Sequence, residues 1–261
     1  MIKEVFKMKM LEGKIAIITG GSMGIGGATA ELFAEHGAKL VITARRKDPL
    51  DEMVAKIRAA GGEVIGVVAD ASSCDDCERV FQTALDTYGD VDIVVNNAGM
   101  ADLYAIDTTT NEEWDKVIAI NQSSVFYSCR RAVQYMLEKN KGAIVNVSST
   151  NGMRPLSGFA YSVSKHAVNA LTQSVALRCS GTKVRCNAVC PGGTDTPMMA
   201  NSYSAGVGLD PNIFAQMQKK IDLTLPNAQP IDQAWAIMFL ASDYACSIQG
   251  AILAVDNGSF L

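Results

Sequence analysis

The chain has 261 residues, 48% hydrophobic and 19% charged, which is enough to bury a sizeable core in one large domain or two small ones. Its 27 acidic and 23 basic residues leave a formal charge of −4, so nothing electrostatic points to a nucleic-acid partner. No apolar run approaches about 18 residues, which argues against a membrane span, and the lysine-dotted start MIKEVFKMKM lacks the apolar stretch of a secretory signal.

In chain order, residues 1–10 read as an N-terminal extension, and 11–261 as one domain. Apolar, β-branched runs at 15–19, 40–43, 64–69, 91–95, 143–147, 184–189 and 252–255 read as strands. Most are continuous rather than alternating, as in parallel strands buried on both faces. Between them, helical periodicity covers 25–36, 50–60, 74–88, 112–139, 159–180 and 231–242. Gly61-Gly62 and Gly89 stand where helices commonly stop. This alternation predicts an α/β fold, a doubly wound Rossmann-type sheet of about seven parallel strands with helices on both faces. The stretch 194–225, rich in methionine and glycine, breaks the pattern and is expected to be an irregular lid on the ligand side.

Cysteine usage points to a reducing, cytoplasmic setting. There are seven, with no small-scaffold spacing. Cys74 and Cys77 form a C-x-x-C, but no second pair exists and the chain holds only His36 and His166, so no metal is expected.

The first strand runs into Thr19-Gly20-Gly21-Ser22-Met23-Gly24-Ile25-Gly26 and then an alanine-rich helix. Glycines at 20, 24 and 26 permit a sharp turn, close approach of a pyrophosphate and tight helix packing; the helix N-terminus then faces the phosphates. The loop is read as a dinucleotide cradle built by Gly20, Ser22, Met23, Gly24, Ile25 and Gly26. An acid about 20 residues on would select NAD. The second strand ends instead in Arg45 and Arg46, whose guanidinium groups suit a 2′-phosphate, so NADP(H) is expected over NAD(H).

Tyr161 and Lys165 stand four apart on the helix at 159–180 and therefore share a face. A phenol titrates near 10, too high for a base at neutral pH; a neighbouring ammonium, helped by the positive nicotinamide, would lower it.

These motifs together resemble the short-chain dehydrogenase/reductase family over nearly the whole chain. The matching segments are Thr19–Gly26, Asp70, Asn96-Asn97-Ala98-Gly99, Asn121, Ser148-Ser149, Tyr161–Lys165 and Pro191-Gly192-Gly193-Thr194-Asp195-Thr196, in that order. The resemblance implies that Tyr161 is the general acid/base of a hydride transfer between a secondary alcohol and a ketone. It implies that Lys165 binds the nicotinamide ribose, that a serine holds the reacting oxygen, and that Asn121 anchors a relay water from a kinked helix. Asp70 with Ala71, and Asn97, Ala98 and Gly99, would line the adenosine side. Pro191, Gly192, Thr194 and Thr196 would meet the nicotinamide side and phosphates. Ser148 lies the family's usual 13 residues before the tyrosine, yet the register of strand and S-S-x-x-G favours Ser149, because indels are cheaper in the 151–159 loop than in a buried strand.

Met23 stands where relatives often carry a basic residue, and the C-terminal segment from Pro226 to Asp232 also departs from the family. The lid supplies Met198, Met199, Tyr203, Val207, Leu209, Ile213, Phe214 and Met217, an adaptable apolar wall suited to a hydroxysteroid, bile acid or similar bulky substrate, though the same residues equally suit core or subunit contacts. A 3-oxoacyl-thioester reductase is the alternative, docking an acidic carrier on Arg130, Arg131, Lys139, Lys141 and Arg178. A non-catalytic dinucleotide sensor would not require the intact Tyr–Lys pair. The family resemblance suggests a homotetramer or homodimer.

Overall fold

The computed structural model describes residues 9–156, 158–204, 210–222 and 224–259. Seven strands form one sheet: β1 (Ile15–Thr19), β2 (Lys39–Ala44), β3 (Glu63–Val68), β4 (Ile93–Asn96), β5 (Gly142–Val147), β6 (Val184–Pro191) and β7 (Ile252–Val255). They lie in the order β3-β2-β1-β4-β5-β6-β7, and every pairing is parallel. The order reverses between β1 and β4. Connections leaving these two strands diverge, and a crevice opens at their carboxyl ends.

The helices are α1 (Gly24–Glu35), α2 (Lys47–Ala59), α3 (Cys74–Tyr88), α4 (Asn111–Ile118), α5 (Ser124–Glu138), α6 (Phe159–Arg178), α7 (Pro197–Ser204), α8 (Pro211–Met217) and α9 (Pro230–Ala241). Local chemistry sets their ends. Ser73 accepts from the Asp76 N–H to start α3, and Gly89, at φ 81°, ends it. Thr110 and Glu113 form a reciprocal capping box on α4.

Two apolar layers hold the helices on the sheet. On one face Leu32, Phe33, Ile57, Ile237 and Met238 pack against Ile18, Leu40 and Val95. On the other Phe81, Cys129, Met136, Val168 and Ala176 pack against Ile17, Val94 and Ile144.

One expectation needs correction. The stretch 194–225 is not uniformly irregular, since it contains α7 and α8, each opened by a proline at its first position. The long helix at 112–139 takes its kink at Asn121 as a π-helical turn, Ala119–Ser123, so it is two helices, α4 and α5. Such a turn interrupts the regular backbone ladder, and here it carries Asn121.

Arg185 on β6 is 8% exposed and donates to the carbonyls of Leu240, Ala241 and Ser242, closing the C-terminal end of α9. Arg185→Met removes all three bonds and should lower stability by about 2–4 kcal/mol, read as a reduced urea midpoint.

Candidate active site

The crevice is built on a seam between β1 and β4. The Thr19 hydroxyl accepts from the Asn97 and Ala98 N–H groups at 3.0 Å each, and Asn97 Nδ2 donates to the Thr19 and Gly20 carbonyls at 3.0 and 3.2 Å. A Cβ on Gly20 would lie 2.9 Å from Asn97 Nδ2, and one on Gly26 would collide with the Gly20 carbonyl. The glycines are thus required by the interlock of the two loops, not only by a ligand. The Asn97 side chain is spent on the glycine loop, which leaves its backbone for the crevice.

Helix α1 starts at Gly24, φ 56°, with no side-chain cap and no acidic residue in its first turn. Its first N–H groups and partial positive charge face out of Ser22–Gly26, a fit for pyrophosphate. The tip of β2 exposes Arg45 and Arg46; Arg46 Nη2 lies 3.3 Å from Met23 Sδ, and Arg45 favours the ionised form of Asp70. The Ser72 hydroxyl and N–H hold Asp70 below the usual carboxylate range. Asp70 and Ala71 open onto a cavity of about 30 Å³ with Thr19 and Asn96.

Across the crevice, the β6 exit passes back over α1, with the Thr196 methyl carbon 3.5 Å from the place a Gly24 Cβ would take. Pro191 is buried at the end of β6, and the Gly192 N–H donates to the Val255 carbonyl. Thr194 is turned inward: its hydroxyl donates to the Gly192 carbonyl and accepts from Gln233 Nε2 at 3.3 Å. Its side chain is thus used within the fold, which leaves its backbone for a ligand; Thr196 is half-buried.

At the floor, Ser148 and Ser149 diverge as consecutive extended residues must. Ser148 Oγ donates to the Lys165 backbone carbonyl at 3.1 Å, whereas the Ser149 hydroxyl stands on the phenol's side and favours the ionised form of Tyr161. Lys165 Nζ, on a residue 4% exposed, donates to the Val147 carbonyl at 2.9 Å and lies 5.6 Å from the Tyr161 ring centroid. Asn121 is fully buried; it exchanges bonds with the Met100 backbone and donates to Ser164 Oγ at 3.0 Å. A Cβ on Gly99 would stand 3.3 Å from Asn121 Oδ1 and 3.6 Å from Lys165 Nζ, so these three predicted residues meet around one point. Burial pushes Lys165 down to about 8. It also pushes the Tyr161 phenol up, against the lowering effect of Ser149. Among the chain's own groups, burial outweighs the lowering by Ser149.

Ser164, Gln233 and Asp102, which accepts from the Tyr161 N–H, had no signal in motif spacing. Met198 and Phe214 are exposed on α7 and α8, with Met199, Ile213 and Met217 half-buried; Val207, Leu209 and the Tyr203 side chain lie outside the described residues. The basic surface expected for an acidic carrier is largely neutralised: Arg131 pairs with Glu78, Lys139 with Asp90 and Lys141 with Asp92. Cys77 is pushed up to about 11 by burial, which keeps it a thiol.

A parallel sheet with a phosphate cradle at its switch point and a Ser–Tyr–Lys cluster beside it defines an oxidoreductase of the nicotinamide-dinucleotide class, acting on CH–OH groups. The chain belongs to the short chain dehydrogenase family, whose model matches residues 14–206. It is 37% identical to a 3beta-hydroxysteroid dehydrogenase of Mediterraneibacter gnavus, with 97% of each chain covered. It is 39% identical to the NADP-dependent (R)-specific alcohol dehydrogenase of Lentilactobacillus kefiri, over 95% of this chain and 97% of that one. The crystal structure of levodione reductase is similar at a TM-score of 0.87 and 30% identity, covering 95% of this chain and 98% of that one. Among the described residues no helix is long and apolar enough to cross a membrane.

The buried ammonium gives a stability prediction. Because the folded pKa of Lys165, about 8, lies below its ordinary 10.5, the unfolded chain binds more protons between these values, and stability rises with pH across that window. Lys165→Met should therefore stabilise the protein at pH 7 by about 1–3 kcal/mol, less the lost Val147 bond, with the gain vanishing toward pH 10.5. Urea melts at several pH values would read this directly.

Proposed function

We propose that the protein interconverts a secondary alcohol and a ketone, with Tyr161 as general acid/base and NADP(H) as the preferred dinucleotide. The observation that carries the reading is Lys165 Nζ 5.6 Å from the Tyr161 ring on the same helical face, with the Ser149 hydroxyl favouring the phenolate. When bound, the nicotinamide supplies or accepts the hydride. The Ser149 hydroxyl holds the reacting oxygen in place while the Tyr161 phenol gives it a proton in reduction or takes one in oxidation. Lys165 holds a ribose and steers charge toward the phenol. The side chain of Asn121 is occupied by Met100 and Ser164, so its role as a water anchor falls to its backbone carbonyl, in the π-helical turn where the ladder is interrupted.

The dinucleotide is held by Gly20–Gly26 and the open end of α1, with Asp70, Ala71, Asn97, Ala98 and Gly99 on the adenosine side and Pro191, Gly192, Thr194 and Thr196 on the other. Arg45 and Arg46 support the 2′-phosphate preference, since both are exposed at the tip of β2 with no carboxylate in the ribose position. The apolar faces of α7 and α8 support a bulky apolar substrate such as a hydroxysteroid or bile acid. The printed names of the hydroxysteroid dehydrogenase relatives agree with that class.

Tyr161→Phe should lower kcat by about 10³-fold or more in stopped assays of NADPH oxidation with a steroid ketone panel, with the NADPH Kd little changed. In the wild type, oxidation needs phenolate and should rise with pH, while reduction needs the phenol and should fall through the same pKa; Tyr161→Phe should lose both limbs. Arg45→Ala with Arg46→Ala should lower kcat/KM for NADPH about tenfold or more and leave NADH within about threefold. Equal losses with both dinucleotides would overturn the 2′-phosphate assignment.

A further inference from the structure

Helix α6 begins without a cap of its own. Its N-cap position is Gly158, at φ 65°, and its first turn carries no acid, so its open N–H groups must find acceptors elsewhere. They find them in the loop after β4. Asp102, 8% exposed, accepts from the Tyr161 N–H through Oδ2 at 2.6 Å and from the Tyr104 N–H through Oδ1 at 3.2 Å. The Phe159 N–H donates to the Tyr104 carbonyl at 2.9 Å, and Trp114 of α4 packs on the Phe159 ring at 5.7 Å. A Cβ at position 158 would collide with the Asp102 carbonyl oxygen, so glycine is needed there for the loop to close on the helix. The loop grips the turn of α6 that bears the phenol.

We propose that Asp102 is a positioning residue for Tyr161: its carboxylate clamps the N–H of the residue bearing the phenol and so sets where the phenol meets Ser149. The proposal rests on the reading of Tyr161 as the acid/base. A clamp on the backbone of a reacting residue acts directly on its side chain, because the Cα–Cβ bond moves with that backbone, and misplacements near 1 Å can cost about 10²-fold in rate. The titratable groups facing Asp102 are Tyr161, Tyr104 and Glu113. Burial pushes the Asp102 carboxyl up while the two N–H donors pull it down, and its negative charge in turn disfavours the phenolate of Tyr161.

Two variants separate position from charge. Asp102→Asn removes the charge and keeps one acceptor oxygen; Asp102→Ala removes both. The phenol is followed by near-ultraviolet phenolate absorbance, as the difference between each protein and its counterpart carrying Tyr161→Phe. In Asp102→Asn the Tyr161 titration should move down by about half a pH unit or more. With NADPH and a 3-oxosteroid, kcat should fall about tenfold in Asp102→Asn and about a hundredfold in Asp102→Ala, with the NADPH Kd within about twofold of wild type. If Asp102→Ala does not fold, the isosteric Asp102→Asn supplies both readouts. Both variants lack the charge, so the Tyr161 titration should differ between Asp102→Ala and Asp102→Asn when the clamp sets the phenol's position; identical titrations overturn the proposal, and so does an Asp102→Asn kcat within about twofold of wild type. Should Tyr161→Phe turn over as fast as wild type, the acid/base reading falls, while the titration still decides the clamp.

Discussion

The Thr19 hydroxyl sits at the place where strand order reverses, and it accepts two backbone N–H groups from the neighbouring loop. Those donors belong to Asn97 and Ala98, which have left β4 and would otherwise be unsatisfied inside a packed protein. With Asn97 Nδ2 returning two bonds to the Thr19 and Gly20 carbonyls, the glycine loop and the β4 exit become one rigid piece. Everything the crevice presents is placed relative to that seam. The open end of α1 lies on one side of it, and on the other Gly99 runs directly to Asn121 and Lys165.

A second set of buried polar groups supports the floor. Asn96 Nδ2 donates to Asn146 Oδ1 at 2.8 Å, and Asn146 Nδ2 donates to Thr172 Oγ1 at 2.9 Å, which links β4, β5 and α6 beneath the Tyr161 cluster. Such a chain is favourable only when every member is paired, and this one fixes α6 against the sheet at a single rotation. Lys165 sits on the same helix with its ammonium in a dry place, an arrangement unfavourable for folding that keeps a positive charge beside the phenol. Stability is given up locally where the charge is put to use.

Most of the fold was legible in the sequence because buried parallel strands leave continuous apolar runs that nothing else explains. β1, β7 and α3 fall where the pattern put them, and other ends move by a few residues at most, as hydrogen-bonding at element ends is not a pattern property. The Tyr161–Lys165 pair was legible because helical spacing alone puts two side chains together. What stayed hidden depends on which way a side chain turns. Thr194 and Asn97 occupy motif positions yet spend their side chains on Gly192, Thr19 and Gly20. The π-helical turn at Asn121 leaves no periodic trace in so short a stretch. Asp102 is 59 residues from Tyr161, and only the folded backbone brings them into contact.

The interlock of Gly20, Gly26 and Asn97 has an evolutionary side. A substitution at any of the three disturbs two loops at once, so this half of the crevice resists gradual change. Arg45 and Arg46 are exposed, lie outside the interlock and touch little beyond Met23 and the field of Asp70. If the proposed 2′-phosphate assignment holds, single substitutions at the tip of β2 would change the dinucleotide preference and leave the interlock untouched.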